Sequence, residues 1–163
     1  MTVDTITWEG NIKGKIKMVD QTILPEEFKY IYCNDTESVW DAIKKLKVRG
    51  APAIGIAAAM GTIIGIRDIE SEYYEEFTLK LDSVLSYLGS SRPTAVNLFT
   101  SIERMKKTAV DNSKKSVKEI KEILFNEAMK IYNEDKDSCR KIGSYGAELI
   151  KDGMGILTHC NAG

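Results

Sequence analysis

The sequence predicts an α+β chain: a small antiparallel N-terminal sheet plus an α-helical bundle, followed by the first strand of a Rossmann-like α/β domain that is truncated. Three observations carry this. Short runs of alternating apolar and polar residues fill the first fifth. The period then changes to a helical one near Asp35. The last residues, "KDGMGILTHCNAG", form a Gly-punctuated turn, a short apolar run and a small-residue turn. The division expected is 1–152 for the sheet and helical domain and 153–163 for the start of the second.

The strands come first. "TITWE", "GKIKMVDQ" and "FKYIYCN" are β-prone, with Ile16 and Met18 on one face and Phe28, Tyr30 and Tyr32 sharing another; "EGNIKG" supplies turn residues between the first two. "NDTESVWDAIKKLK" opens the helical part, with Asp35 or Thr36 as cap and Val39, Trp40, Ile43 and Leu46 on one stripe. A second helix is predicted over Ala51–Ile66 and a third over "SEYYEEFTLKLDSVLSYLGSS", with Gly89 as its stop. A fourth is predicted over "RPTAVNLFTSIERMKKTAV". A fifth is predicted from about Ser116 to Lys151 through Val117, Ile120, Leu124, Ile131, Ile142 and Leu149. The run "GILTH" is the expected strand. Such a strand feeding a Gly-rich turn normally opens an α/β unit of about thirty residues or more, so the chain reads as the front part of a longer protein.

Composition narrows the function. The chain has 163 residues, 23 Lys+Arg against 24 Asp+Glu and a net charge of −1, so it lacks the basic excess of a nucleic-acid binder. Its longest apolar run, 51–66, is broken by glycines and falls short of the roughly 20 residues a bilayer requires. The start "TVDTITWEGN" has neither a basic region nor an apolar signal core. Three cysteines without C-x-x-C spacing predict a reduced, cytoplasmic protein, and a single histidine, His159, leaves no His-based metal cluster. No metal, cofactor, nucleic acid or membrane partner is expected.

Three stretches are candidates for chemistry. In "VRGAPAIG", Pro52 fits the first helical position and Gly50 allows close approach to the backbone. Arg49 offers a planar fork at a helix start that favours anions. The alternative is close helix packing at the Ala/Gly positions, with Arg49 pairing a carboxylate. "SSRPTAVNLF" repeats the device with Arg92 and Pro93, and with Ser91 and Thr94 as hydroxyl donors; the alternative is two independently capped helices. In "ILTHCNAG", Cys160 sits in a turn past a strand, where α/β sheets place ligands; the alternative is an ordinary buried thiol.

Taken together and in this order, "VDQTILP", "VRGAPAIGIAAAMG", "SRPTAVNLF" and "ILTHCNAG" resemble the 5-methylthioribose-1-phosphate isomerase family of methionine salvage. Ribose-1,5-bisphosphate isomerases and the initiation-factor 2B regulatory subunits share that architecture. They typically lack the Pro of "RGAP" and the "NAG" ending, which stand here as Pro52 and Asn161–Gly163. The resemblance implies a cofactor-free aldose–ketose isomerase, cytoplasmic and homodimeric, serving methionine biosynthesis, a branch of amino-acid biosynthesis. It implies that Arg49, Gly50 and Ala51 contact substrate, that Arg92 binds its phosphate, that Cys160 assists catalysis, and that Asn161, Ala162 and Gly163 complete the substrate turn. The family's catalytic Asp, and a Gln and an Asn–Lys pair that hold substrate, have no counterpart here. Asp111, Asp135, Asp137 and Asp152 lack the motif context, so this chain alone is expected to be inactive. Two other readings stand beside it. One is isomerisation of another 5-substituted ribose 1-phosphate, such as 5-deoxyribose 1-phosphate. The other is a non-catalytic regulatory module like the initiation-factor subunits.

Overall fold

The computed structural model describes residues 3–158. Strands β1 (Ile6–Glu9), β2 (Lys15–Val19) and β3 (Tyr30–Cys33) form one antiparallel sheet in the order β1-β2-β3. The register sets Ile6 opposite Met18, Trp8 opposite Ile16, Ile16 opposite Cys33 and Met18 opposite Ile31. These residues share one face because strand side chains alternate with a period of two. Ile6, Ile16, Met18 and Cys33 are buried there. Tyr30 and Tyr32 occupy the opposite face, as expected of residues two apart. Lys17 lies over the Tyr30 ring at 4.3 Å and Lys15 over Tyr32 at 4.2 Å, so the outer surface is held by cation–π contacts.

Five helices follow: α1 (Thr36–Lys44), α2 (Ala51–Ile66), α3 (Tyr74–Gly89), α4 (Val96–Asp111) and α5 (Val117–Ala147). Asp35 caps α1, its side chain accepting from the Ser38 N–H at 2.7 Å. Helix α2 is the axis of the molecule. Every residue from Ile54 to Ile64 is buried, and α1, α3, α4, α5 and the sheet all pack on it. A helix apolar on all sides has no solvent face, and its alanines and glycines let four neighbours come close. The single buried hydroxyl of this helix, Thr62, donates to the Ala58 carbonyl at 2.8 Å, so burial leaves it satisfied.

Two expectations need correction. Pro93 is not at a helix start: α4 begins at Val96, with Ala95 as its N-cap, and residues 92–95 form a turn closed by the Ala95 N–H on the Arg92 carbonyl at 3.0 Å. Helix α5 ends at Ala147, not Lys151; residues 148–150 tighten into turns through Leu149 to Gly146 and Ile150 to Ala147. Its stripe buries Val117, Ile120 and Leu124, whereas Ile142 and Leu149 are 71% and 78% exposed, beyond the reach of the other described helices. Of the strand expected at 155–159, residues 155–158 pair with no other strand, since the sheet β1-β2-β3 lies elsewhere. His159 to Gly163, with Cys160, fall outside the described residues. Among the described residues, no helix is long and apolar enough to cross a membrane, and no acidic, Cys or His cluster is arranged for a metal.

Candidate functional site

Two helix starts meet at one cleft. Gly50 is the N-cap of α2, with φ 90° and ψ 132°, a conformation open in practice to glycine alone. A Cβ placed there would meet nothing within 4 Å, so the backbone at this point faces open space. Ala51 and Pro52 are the first two helical residues, so Pro52 takes the second helical position and not the first. The first intrahelical bond runs from Ile54 N–H to the Gly50 carbonyl at 3.0 Å. No side chain caps α2 or α4, and neither has an acidic residue in its first turn. Both therefore present the positive end of the helix dipole and unpaired N–H groups.

These ends line a cleft of about 560 Å³ together with Arg49, Arg92 and Thr94. Leu46 and Ile54 supply apolar wall, and Val96 and Asn97 come from the first turn of α4. Among the described residues, that lining holds two arginines and no carboxylate. Arg49 Nε donates to the Leu46 carbonyl at 3.2 Å, and among the described residues neither arginine forms an ion pair. The alternative of Arg49 paired to a carboxylate is therefore not what the fold shows there. Arg92 makes no side-chain hydrogen bond among the described residues, and it is half-buried. Such an arrangement can bind a phosphate or carboxylate anion: charge-assisted hydrogen bonds from planar, forked donors, backed by helix N–H groups.

The surroundings hold both arginines in place. On one side, Val48 is fully buried and Lys47 donates to Asp41 at 2.7 Å. The ammonium groups of Lys45 and Lys47 hold the Asp41 carboxyl below its usual range, and Asp41 raises Lys47 in turn. Leu46 has φ 61°, a left-handed conformation that costs a bulky residue about 1–3 kcal/mol, at the edge of the cleft. On the other side, the Ser90 hydroxyl donates to the Tyr87 carbonyl at 2.7 Å and accepts from Trp40 Nε1 at 2.9 Å. Ser91 is buried in the turn after α3, its hydroxyl donating to the Leu88 carbonyl at 2.6 Å, so it does not line the cleft as the sequence suggested. Thr94 does line it.

Arg49, Gly50, Ala51 and Arg92 are thus brought together from positions more than forty residues apart; Cys160, Asn161, Ala162 and Gly163 are not described. Sequence reasoning missed Leu46, Val96 and Asn97. Asn97 also lines a neighbouring cavity of about 220 Å³ between α2, α4 and α5, where Arg104 bridges Glu127 and Glu134. Its signal was a polar residue in the first turn of a helix that follows an Arg-Pro turn.

The model of the Initiation factor 2 subunit family matches residues 47–163. The methylthioribose-1-phosphate isomerase of Geotalea uraniireducens is 50% identical over 163 residues, all of this chain and 46% of that protein. The 5-deoxyribose 1-phosphate isomerase of Bacillus cereus is 49% identical over 158 residues, 97% of this chain and 45% of that protein. Among solved structures, the 5-methylthioribose 1-phosphate isomerase of Pyrococcus horikoshii OT3 superposes with a TM-score of 0.90 at 41% identity, over 99% of this chain and 45% of that one. Subunit delta of translation initiation factor eIF-2B from A. fulgidus superposes with 0.82 at 43% identity, over 93% and 43%. The chain spans about 46% of the length of the curated relatives it matches. With the family model covering residues 47–163, which hold both arginine turns, the chain belongs to the Initiation factor 2 subunit family.

Proposed function

We propose that this protein is an aldose–ketose isomerase that converts 5-methylthioribose 1-phosphate to 5-methylthioribulose 1-phosphate in methionine salvage. The observation that carries the reading is the cleft in which two arginines and two uncapped helix starts converge without a carboxylate. It suits a phosphate monoester, and the isomerase names of relatives near 50% identity point to a sugar phosphate. Arg92 and Arg49 grip the phosphate, while Gly50 and Ala51 let the sugar approach the backbone. The ring bond between C1 and O4 breaks, O4 takes up a proton in place of the one O2 gives up, and one hydrogen moves from C2 to C1. C2 goes from carbinol to carbonyl while C1 is reduced, so electrons balance within the substrate and no external oxidant is required. Cys160 acts on the reacting oxygens as acid or charge stabiliser, with Asn161, Ala162 and Gly163 forming the substrate turn. Residues 1–152 form the unit that holds the phosphate, and 153–163 lead into a Rossmann-like part. The protein acts in the cytoplasm as a homodimer, a reading to which the exposed apolar positions of α5, Ile142 and Tyr145, lend a surface.

Cys160→Ser tests the chemical role. The variant is expected to fold and bind substrate while losing turnover on the order of 10²-fold or more, the scale of one acid/base or oxyanion group. Turnover near wild type would remove Cys160 from the mechanism. A second reading, the same reaction on 5-deoxyribose 1-phosphate, is favoured by the Bacillus cereus relative. Comparing kcat/KM for the two sugars decides between them, and binding without turnover of either would favour a regulatory module.

A further inference from the structure

Helix α4 meets α2 at Gly55, one turn inside the start that Gly50 caps. A Cβ built on Gly55 would lie 2.8 Å from the Asn97 carbonyl oxygen, 2.8 Å from Ser101 Oγ and 3.4 Å from the Asn97 carbonyl carbon. The first and last of these are backbone atoms, so no side-chain rotation relieves them; the first turn of α4 must itself move. Asn97 belongs to that turn and lines the arginine cleft, and the Ala95 N-cap just before it closes the 92–95 turn on the Arg92 carbonyl. The spacing between the α2 start with Arg49 and the α4 start with Arg92 is therefore set by the missing side chain at residue 55.

We infer that Gly55 is a positioning residue for the anion site: its bare backbone sets the gap between the two helix starts to the width of one phosphate group. The inference rests on reading the cleft as a phosphate site. Other small residues of α2 do not share the role. A Cβ at Gly61 would press on Val39 at 2.8 Å and Leu88 at 3.3 Å, which are side-chain atoms of α1 and α3 and not the backbone of α4. Gly61→Ala is thus a matched disturbance of the same buried helix that leaves the α4 start where it is.

The experiment measures calorimetric affinity for methylthioribose 1-phosphate and for unphosphorylated methylthioribose, with melting temperature, in wild type, Gly55→Ala, Gly61→Ala and Arg92→Ala of the intact protein. Gly55→Ala is expected to weaken binding of the phosphate ester about tenfold or more, as small misplacements of binding groups do. The affinity of Gly61→Ala is expected to stay at the wild-type value whatever its melting temperature. Ser101→Thr, which crowds the same crossing from α4, is the milder second variant should Gly55→Ala fail to fold; it must weaken phosphate binding in the same direction. Wild-type affinity in Gly55→Ala, or in Ser101→Thr where that variant stands in, overturns the inference, as does an equal loss in Gly61→Ala. If Arg92→Ala still weakens binding in that case, the phosphate reading survives and only the positioning role falls. If Arg92→Ala has no effect either, the phosphate reading falls too.

Discussion

Arg49 and Arg92 face one cleft with no carboxylate in its lining, so removing either charge leaves no partner stranded. Loss of a buried ion-pair partner is costly to a fold, but that cost does not arise here. Arg92→Ala is therefore expected to leave the melting temperature nearly unchanged and to weaken binding of the phosphorylated sugar by about 1.5–3 kcal/mol, the range for hydrogen bonds to charged groups. Arg92→Lys should recover only part of this, because an ammonium cannot reproduce the fork. Titration calorimetry and a thermal melt on the same samples check both halves; unchanged affinity in both variants would make Arg92 structural. The two arginines and Gly50 were legible because the pattern is local: an Arg before a turn that precedes a helix start. Ser91 was misread for the same reason. Whether its hydroxyl faces the cleft or turns back to Leu88 depends on how α3 ends, and the motif "SSRP" does not carry that information. Leu46 and Val96 were missed because apolar residues at a cleft edge look in sequence like any other apolar residues.

Among the elements, α5 shows what local signals decide. Its start carries a full capping box: the Ser116 hydroxyl accepts from the Glu119 N–H, and the Glu119 carboxylate accepts from the Ser116 N–H at 3.0 Å. The Ser116 hydroxyl also donates to the Glu119 carboxylate at 2.6 Å, and this bond, with the one from the Ser116 N–H, holds the Glu119 carboxyl below its ordinary range. Ser116→Ala is expected to cost about 1 kcal/mol, the usual value of an N-cap, read as a lower denaturant midpoint at unchanged m-value. A stability equal to wild type would mean that Val117, Ile120 and Leu124 hold the α5 start without help. The strands and helix centres were legible from periodicity, and α2 matches its expected span of Ala51–Ile66 because the glycines that break its apolar run do not end the helix. The start of α4 was not. Proline fits a first helical turn but fits the second position of a turn equally well, and the Arg92–Ala95 turn takes it. Helix α5 was expected to run longer because its apolar spacing continues past Ala147, where no described element packs against it.

For the molecule as a whole, the response to pH follows from where its titrating pairs lie. Carboxyl groups held below their ordinary range tie separate elements together. Asp68 at the end of α2 is held by Lys13 of the β1–β2 hairpin, Glu134 of α5 by Arg104 of α4, and Asp41 of α1 by Lys45 and by Lys47 of the following turn. A depressed folded pKa gives stability that is present above the unfolded value, about 3.9 for Asp and 4.3 for Glu, and that disappears as pH falls through the folded value. The acid loss therefore begins near pH 4 and deepens below it. On the basic side, burial pushes the Cys33 thiol up, so its contribution is whole below the ordinary thiol range of about 8.5 and declines above it. Lys47, raised by Asp41, loses its contribution only above about 10.4. Among the cations, burial pushes Lys121 the other way, below the ordinary lysine range, and the sequence holds one histidine. The melting temperature is expected to be flat from about pH 5 to 8 and to fall below about pH 4. The acid slope should be shallower in high salt, because the pairs are solvent-exposed and screened. A melting series across pH 3–9 at two salt concentrations checks this, and a stability change centred between pH 6 and 7 would contradict the assignment of the acid response to these bridging carboxylates.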